Sequence, residues 1–326
     1  MGLLIDGKLH TDWFESESEG GEFVRKESPF RNWITPDGAP GPSGEGGFPA
    51  EAGRYHLYVS LACPWAHRTL IMRALKGLES LVSVDVVHPH MGPKGWHFGD
   101  FPGATPDSLY GAQFLHELYT RADPQVSGIV TVPVLWDKQR ETIVNNESSE
   151  IVRMFNSAFD ALTDNRNDFY PQGLREAIDA VNTPIYDNVN NGVYRAGFAT
   201  TQAAYEKAFD HLFTTLDELE WRLSGQRYLV GDRVTEADWR LFTSLVRFDA
   251  VYHGHFKCNR NRLVDFPNLW AWTRELYQWP GVAETVDMTH IKQHYYVSHD
   301  WINPSGIVPK GPAIDFLEPH GRELIG

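Results

Sequence analysis

A cysteine followed by a proline opens the segment CPWAHR at residues 63–68, where a strand pattern gives way to a helix pattern. Residues 55–59 (YHLYV) are rich in β-forming side chains, and apolar residues recur at helical spacing over 70–78. Pro64 suits the first position of a helix, because its missing N–H is not needed there. Cys63 is therefore predicted at a helix N-terminus, where unpaired N–H groups and the helix dipole favour a thiolate. The alternative is a buried structural cysteine beside a chance proline.

The rest of the chain offers little other chemistry. Cys258 is the only other cysteine, and Ala66 stands where a Cys-x-x-Cys dithiol would have its second thiol. His253, His255 and Cys258 have the composition of a metal site, but no second cluster completes a tetrahedral set, so no metal is predicted. A glycine-rich phosphate loop is also lacking, and a nucleotide cofactor therefore has no support.

Composition narrows the location and the partners. The 326 residues suit about two domains. With 29 basic and 43 acidic residues the net charge is −14, which argues against nucleic acid and anionic membranes as partners. No apolar run approaches the ~20 residues of a membrane span. Because the chain has no disulfide framework and no apolar run of membrane-spanning length, it is expected in the reducing cytoplasm.

The first half of the chain predicts a thioredoxin-like domain. The strand and helix around Cys63 are followed by a second β-rich run over 81–87, which makes a parallel βαβ unit. The later elements are a helix over 108–119, hairpin strands over 130–136 and 142–144, and a helix from residue 150. Pro133 would interrupt its strand, because proline cannot donate to the ladder. A cis Val132–Pro133 bond would instead turn the preceding backbone toward the Cys63 helix.

The remaining chain is predicted as an irregular arm, a helical domain and a tail. Residues 1–50 show no sustained hydrophobic periodicity. This arm would be ordered only where its aromatic side chains pack on other residues; these are Trp13, Phe14, Phe23, Phe30 and Trp33. Helices are expected over 172–191, 201–223, 236–252, 267–278 and 285–297, with a capping box at Thr235 and Asp238. The predicted fold class is α/β plus all-α: arm 1–50, thioredoxin-like domain 51–160, all-helical domain 170–298 and C-terminal tail 299–326.

Seven motifs together resemble one family. They are CPWAHR (63–68), GWHF (95–98), TVPVLWD (131–137), NES (146–148), NNGVY (190–194), VRFD (246–249) and HYY (294–296). With them the chain resembles the glutathionyl-hydroquinone reductases, the xi class of the glutathione transferases, over nearly its whole length. The resemblance implies that an all-helical glutathione-transferase domain follows the thioredoxin-like domain. Omega-class enzymes share the Cys-Pro site but not this set of tyrosines or the long arm.

The resemblance also implies a glutathione site. Glutathione would be a co-substrate, with no permanently bound cofactor, and Cys63 would be the nucleophile. The implied glutathione-binding residues are Trp96, Ile129, Val130, Thr131, Val132, Glu147 and Ser148, of which 129–132 act through their backbone. A basic side chain at position 129 could reach a carboxylate, but the Ile129 side chain cannot. Only the backbone of Ile129 can therefore take part in binding. Taken alone, Trp96 could be a core residue and Glu147-Ser148 only a helix cap.

Three tyrosines complete the implied catalytic set. Tyr194 would donate and accept a proton, while Tyr252 and Tyr295 would help to hold the Cys63 thiolate. Each of them, considered singly, could equally be a core tyrosine with a bonded hydroxyl. Tyr296 points to another side of the helix than Tyr295 and is the natural control.

The implied activity is the reduction of glutathionyl-hydroquinones to free hydroquinones. Cys63 would take glutathione as a mixed disulfide, and a second glutathione would release oxidised glutathione. Members of the family are dimers, which implies a homodimer. One alternative is an omega-like thioltransferase or dehydroascorbate reductase, and another is a non-catalytic scaffold with the glutathione-transferase fold. The Cys63-Pro64 pair with its tyrosines favours an enzyme, because packing alone needs no thiol there.

Overall fold

The computed structural model describes residues 2–11 and 20–325, which divide into two compact units. The sheet unit combines Met1–Glu15, Lys26–Asn167 and Thr285–Ser298. The helical unit combines Ser16–Arg25, Asp168–Glu284 and His299–Gly326. Among the described residues, no helix has both the length and the apolar character needed to cross a membrane.

The strands, in chain order, are β1 (Leu3–Ile5), β2 (Lys8–His10), β3 (Trp33–Thr35), β4 (Gly47–Pro49), β5 (Tyr55–Val59), β6 (Val82–Val86), β7 (Gly128–Ile129), β8 (Val134–Asp137) and β9 (Thr142–Asn145). The central sheet has the order β6-β5-β8-β9. Strand β5 pairs in parallel with β6 and antiparallel with β8, and β8 forms a hairpin with β9. The predicted βαβ unit and hairpin are confirmed.

The helices are α1 (Pro64–Leu75), α2 (Leu115–Ala122), α3 (Ser148–Ser157), α4 (Arg175–Pro184), α5 (Gly192–Gly197), α6 (Gln202–Gly225), α7 (Glu236–Leu245), α8 (Pro267–Tyr277) and α9 (Met288–Ser298). In the sheet unit, α1 and α3 pack against each other, and α3 also contacts β3. All five residues of β5 are buried, as is most of α1, so this layer is the core that fixes the start of α1.

Residues 285–298 were predicted in the all-helical domain but group with the sheet unit. Three side chains there contact other residues of that unit, two in the loop after β6 and one in α1. The His294 Nδ1 lies 2.9 Å from the Pro89 carbonyl, and the Ser298 hydroxyl accepts the Met91 N–H at 2.9 Å. The Thr285 hydroxyl lies 2.8 Å from the His67 ring. A helical pattern predicts α9 itself but cannot reveal which surface it covers.

Residues 1–50 hold more regular structure than the predicted irregular arm. Their described part contains β1 to β4; β1 pairs with both β2 and β7, and β3 pairs in parallel with β4. Strands of three residues are too short to show a period. Phe30 packs edge-on against Tyr119 with ring centroids 5.7 Å apart, and Trp33 is buried. Trp13 and Phe14 lie outside the described residues.

The helix predicted over 108–119 is wrong in its first half, because α2 begins only at Leu115. The Asp107 carboxylate accepts the N–H groups of Tyr110 and Ala112 at 3.2 and 2.9 Å, and Gly111 has a φ of +68°. A carboxylate that bonds to nearby N–H groups holds a turn in place of a helix.

Two helices predicted in the helical unit are divided. The pattern over 172–191 becomes a 3₁₀ turn, α4 and a π-helical turn (Ile185–Asn190), and that over 236–252 becomes α7 and a π-helical turn (Phe248–Tyr252). The first of these helices is divided at Pro184, because proline has no N–H to donate to a helical hydrogen bond. The capping box at α7 is confirmed: Thr235 donates its N–H and hydroxyl to Asp238 at 2.8 and 3.0 Å.

The tail is held to the helical unit by Arg322, which is 1% exposed. Its guanidinium donates to the carbonyls of Leu223, in the last turn of α6, and of Gln226 and Arg227 just beyond it, at 3.2, 2.9 and 2.6 Å. Its Nε also lies 3.4 Å from the Glu275 carboxylate. One arginine therefore satisfies several carbonyls that a helix end leaves without partners.

Arg322→Ala should lower the free energy of unfolding by about 3 kcal/mol or more, because it leaves Glu275 and three carbonyls without their buried cation. Arg227→Ala is the matched control. Arg227 also pairs with Glu275, at 2.7 Å, but its side chain is 31% exposed, and its loss should cost about 1 kcal/mol. Denaturant unfolding of both variants measures the difference. Equal losses would show that the carbonyl contacts of Arg322 contribute nothing.

Candidate active site

Cys63 is the N-cap residue of α1, with φ −76° and ψ 122°. Its N–H donates to the Ser60 carbonyl at 3.2 Å, and its carbonyl accepts the His67 N–H at 3.0 Å. Pro64 is the first helical residue, as the sequence predicts. The thiol is partly exposed, with Sγ 3.7 Å from the Val132 carbonyl oxygen. This position exposes the sulfur to the positive end of α1.

Cys258 is the opposite kind of cysteine. It is fully buried, its thiol donates weakly to the Phe256 carbonyl at 3.8 Å, and burial raises its pKa. The neighbouring His255 lies 3.1 Å from the His299 ring, and burial lowers the pKa of His255 to about 4. Within the described ranges, no three histidine, cysteine or acidic side chains form a group that could hold a metal ion.

Some backbone hydrogen-bonding groups of residues 129–132 are already paired within the sheet unit. Ile129 pairs with Leu3, and the Val130 N–H donates to the Gly2 carbonyl at 2.9 Å. Thr131 exchanges hydrogen bonds with the Tyr119 hydroxyl, at 3.1 Å from its N–H and 2.9 Å to its carbonyl. The Val132–Pro133 bond is cis, as predicted. In the part of the chain that the structure describes, the Val132 N–H makes no hydrogen bond, so Val132 is the residue of this segment best able to pair with a peptide.

Trp96 is 5% exposed and therefore packs as a core residue. Its ring stacks on His294, with centroids 4.7 Å apart and planes 25° from parallel. Its carbonyl accepts the Leu115 N–H at 3.0 Å, which ties its loop to the start of α2. A contact of Trp96 with glutathione stays a prediction.

Glu147 and Ser148 open α3. Glu147 is the N-cap, and its Oε1 accepts both the N–H and the hydroxyl of Ser149, at 3.1 and 2.9 Å. Its Oε2 accepts a long bond of 3.4 Å from the Ser28 hydroxyl. Ser148 is buried, and its hydroxyl lies 3.4 Å from the Arg68 guanidinium. The cap expected from sequence is therefore present, and one carboxylate oxygen keeps capacity for a further donor.

Tyr194 and Tyr252 lie together in the helical unit. Their ring centroids are 6.2 Å apart, and both rings pack on Phe256, at 5.5 and 5.6 Å. Tyr194 also contacts Phe198 edge-on at 5.7 Å. Tyr252 is the last residue of one π-helical turn, and Tyr194 lies in α5, the helix that follows the other; such turns are frequent at functional sites.

Tyr295 is placed in the sheet unit, the unit that also carries Cys63. It is 1% exposed, with its ring edge-on to His294 at 5.2 Å. Tyr296 next to it is also buried, and burial raises the pKa of its phenol. Both units therefore carry tyrosines that the sequence singled out.

Two further residues contact predicted site residues and were missed. His294 stacks on Trp96; its only sequence signal is its place next to Tyr295 in the HYY motif. The guanidinium of Arg25 lies 5.1 Å from the Tyr194 ring centroid. Arg25 belongs to the aperiodic arm, where no pattern marks it.

Comparisons with known proteins agree on the family. Residues 62–158 match the model described as glutathione S-transferase, N-terminal domain, and 202–275 match the C-terminal domain. The glutathionyl-hydroquinone reductase YqjG of Escherichia coli (strain K12) is 59% identical, with 99% of both chains covered. The glutathione-bound structure of that protein has a TM-score of 0.92 at 57% identity, with 99% of both chains covered. A xi-class glutathione transferase of Natrialba magadii has a TM-score of 0.92 at 51% identity, covering 99% of this chain and 97% of the other.

Fold and matches together define the protein as having the two-domain architecture of the glutathione transferases. Within that superfamily, the chain belongs to the glutathionyl-hydroquinone reductases, the xi class. The family resemblance predicted from the motifs is confirmed.

Proposed function

We propose that this protein is a cytoplasmic homodimeric reductase that converts glutathionyl-hydroquinones to free hydroquinones, with glutathione as co-substrate. The observation that carries the proposal is the partly exposed Cys63 thiol at the N-terminus of α1, 3.7 Å from the Val132 carbonyl. A helix N-terminus stabilises the thiolate, which is the form that attacks sulfur. The family membership supports the choice of substrate, since YqjG is named for this activity.

Glutathione would bind as an extended peptide beside Cys63. Its main chain would pair with Val132, whose N–H is directed into no other hydrogen bond among the described residues. The γ-glutamyl ammonium would pair with Glu147, and its carboxylate would meet Ser148 at the start of α3. Because Val130 and Thr131 already bond within the sheet unit, they would shape the segment rather than bind the peptide.

The chemistry begins with a proton transfer to the substrate ring. The Tyr194 hydroxyl gives its proton to the ring carbon that bears sulfur while the substrate hydroxyl releases its own proton to water, which produces the neutral keto tautomer and a tyrosine phenolate. The Cys63 thiolate then attacks the glutathione sulfur; the S–S bond forms, the C–S bond breaks, and its electron pair restores the aromatic ring. The hydroquinone oxyanion takes up a proton as the product forms. The ring has gained two electrons, and Cys63 with glutathione has lost two.

A second glutathione completes the cycle. Its thiolate attacks the mixed disulfide at the glutathione sulfur, releases oxidised glutathione and regenerates the Cys63 thiolate. Tyr252 and Tyr295 would donate hydrogen bonds that hold this thiolate between turnovers. Because the first product leaves before the second glutathione reacts, the kinetics should be ping-pong.

One set of assays tests the proposal. The purified protein receives glutathione together with a glutathionyl-hydroquinone, a mixed-disulfide substrate or dehydroascorbate. Release of free hydroquinone supports the reductase. Turnover of only the other two substrates would identify an omega-like thioltransferase or dehydroascorbate reductase, and no turnover of any would favour a binding scaffold.

Glu147→Gln separates the binding role of this residue from its capping role. The amide oxygen can still accept the Ser149 N–H, so the thermal midpoint should barely change. Loss of the charge should raise the KM for glutathione at least about tenfold, since a charge-assisted bond contributes about 1.5–3 kcal/mol. Ser149→Ala is the control, because it removes the hydroxyl bond to Glu147 but leaves the carboxylate. An unchanged KM in Glu147→Gln would leave the residue as a cap only.

A further inference from the structure

The segment 20–25 is fixed to the start of α6 inside the helical unit. The Gly21 carbonyl accepts the Thr200 N–H at 3.1 Å, and the Gly20 carbonyl accepts the Thr201 hydroxyl at 3.0 Å. Glu22 pairs with Lys207 at 2.8 Å. Gly21 has a φ of +85°, and a Cβ there would lie 2.6 Å from Thr201, so the chain passes too closely for a side chain.

Arg25 ends this segment with two contacts. Its Nε donates to the Asn191 side-chain oxygen at 2.7 Å, and Asn191 directly precedes α5, which carries Tyr194. Its guanidinium also lies 5.1 Å from the Tyr194 ring centroid and 5.5 Å from the Phe23 ring centroid. Arg25 therefore holds both the start of the helix and the ring.

The charge of Arg25 bears on what Tyr194 can do. A tyrosine that gives up its proton becomes a phenolate, and aromatic neighbours such as Phe198 and Phe256 solvate that anion poorly. A cation within about 6 Å favours the charged form. Among the described residues of this unit, the titratable groups that pack against Tyr194 or its ring neighbours include Tyr252, whose ring centroid lies 6.2 Å away, and His299, which packs on Phe198.

Arg195, which follows Tyr194 on α5, is a cation in a different setting. The Arg195 guanidinium donates to the Asp187 carbonyl at 3.2 Å and lies 3.9 Å from the Asp187 carboxylate, and both side chains are more than 40% exposed. Its charge is therefore screened by solvent and by its own partner. Arg25, by contrast, is half-buried and donates to Asn191, a neutral amide.

We propose that Arg25 is a positioning residue for proton transfer: it holds α5 through Asn191 and stabilises the phenolate that Tyr194 becomes. The inference rests on the proposed function, because Tyr194 is the proton donor there. The O–H bond of Tyr194 breaks, the proton joins the substrate carbon, and the phenolate recovers a proton from water after the hydroquinone leaves. Disulfide exchange at Cys63 needs no such proton and should not depend on Arg25.

The experiment compares Arg25→Gln, Arg25→Lys and a matched control, Arg175→Gln. Arg175 lies 5.1 Å from the ring of Tyr170, a tyrosine outside the candidate site, so the control removes the same kind of contact. For each variant, kcat and KM for the glutathionyl-hydroquinone are measured from about pH 6 to about pH 10, and thioltransferase activity is measured beside them.

Arg25→Gln should lower kcat for quinol reduction at least about tenfold at neutral pH and move the alkaline limb of the profile to higher pH. Its thioltransferase rate and thermal midpoint should stay close to wild type, which separates this effect from misfolding. Arg25→Lys should restore the alkaline limb because the charge returns. In a Tyr194→Phe background, Arg25→Gln should have no further effect.

Two results would overturn the inference while leaving the proposed function intact. One is a wild-type enzyme that reduces the conjugate while Arg25→Gln behaves like Arg175→Gln. The other is an equal loss of both activities in Arg25→Gln without a change in the pH profile, which would make Arg25 a purely structural residue. A wild-type protein that fails to reduce the conjugate would instead overturn the proposed function together with this inference.

Discussion

Cys63→Ala should reduce turnover of glutathionyl-hydroquinone to the uncatalysed background, because no other thiol can form the mixed disulfide. Glutathione should still bind, since Val132, Glu147 and Ser148 are untouched. In wild type, reaction with the conjugate alone should add the mass of one glutathione and map it to Cys63. Steady-state assays, mass spectrometry and glutathione calorimetry on the same preparation measure all three effects.

Cys258→Ser is the control for this prediction. Cys258 is fully buried and its thiol pKa is raised by burial, so it neither reaches substrate nor ionises readily. The rate should stay within about threefold of wild type, a change of only ~0.7 kcal/mol in the barrier. A glutathione adduct on Cys258, with Cys63 unmodified, would contradict the assignment of the nucleophile.

Tyr194→Phe should lose quinol reduction by about 10²–10⁴-fold, the usual contribution of general acid catalysis. Its thioltransferase activity should be spared, because disulfide exchange moves no proton to a ring carbon. The loss should persist at every pH at which the wild type is active. Parallel assays of the two activities over pH measure the separation.

Tyr252→Phe and Tyr295→Phe should behave differently. If their hydroxyls stabilise the Cys63 thiolate, both activities should slow at neutral pH and recover as the pH is raised and the thiolate forms unaided. Tyr296→Phe should change neither activity. Iodoacetamide alkylation of Cys63 against pH distinguishes the groups: if Tyr194→Phe shifts that profile as much as Tyr252→Phe does, the proton-donor role of Tyr194 is wrong.

Local features were the predictable part of the molecule. The N-cap place of Cys63, the βαβ unit and the Thr235 capping box each depend on residues within one or two turns or strands, and all are found as expected. The failure at 108–119 is also local, since the Asp107 carboxylate competes with the helix for the same N–H groups. An aspartate before a helical pattern could have warned of this turn.

Contacts between residues far apart in the chain could not be predicted from the sequence pattern. The Val130 N–H bonds to Gly2, and Trp96 stacks on His294, in both cases across more than a hundred residues. Periodicity shows which face of an element is apolar but not which element covers it. The contact between Arg25 and Tyr194 is of this kind, and the family resemblance alone did not indicate it.

The return of α9 to the sheet unit has a consequence for synthesis on the ribosome. Residues 168–284 emerge before the helix that supplies His294 to Trp96 and Ser298 to Met91. At about 5–20 residues per second, the sheet unit waits on the order of ten seconds for its last element. A nascent chain of residues 1–167 would therefore expose the surface that α9 later covers. N-terminal domains usually complete their fold before the next domain is synthesised, but the sheet unit of this protein cannot.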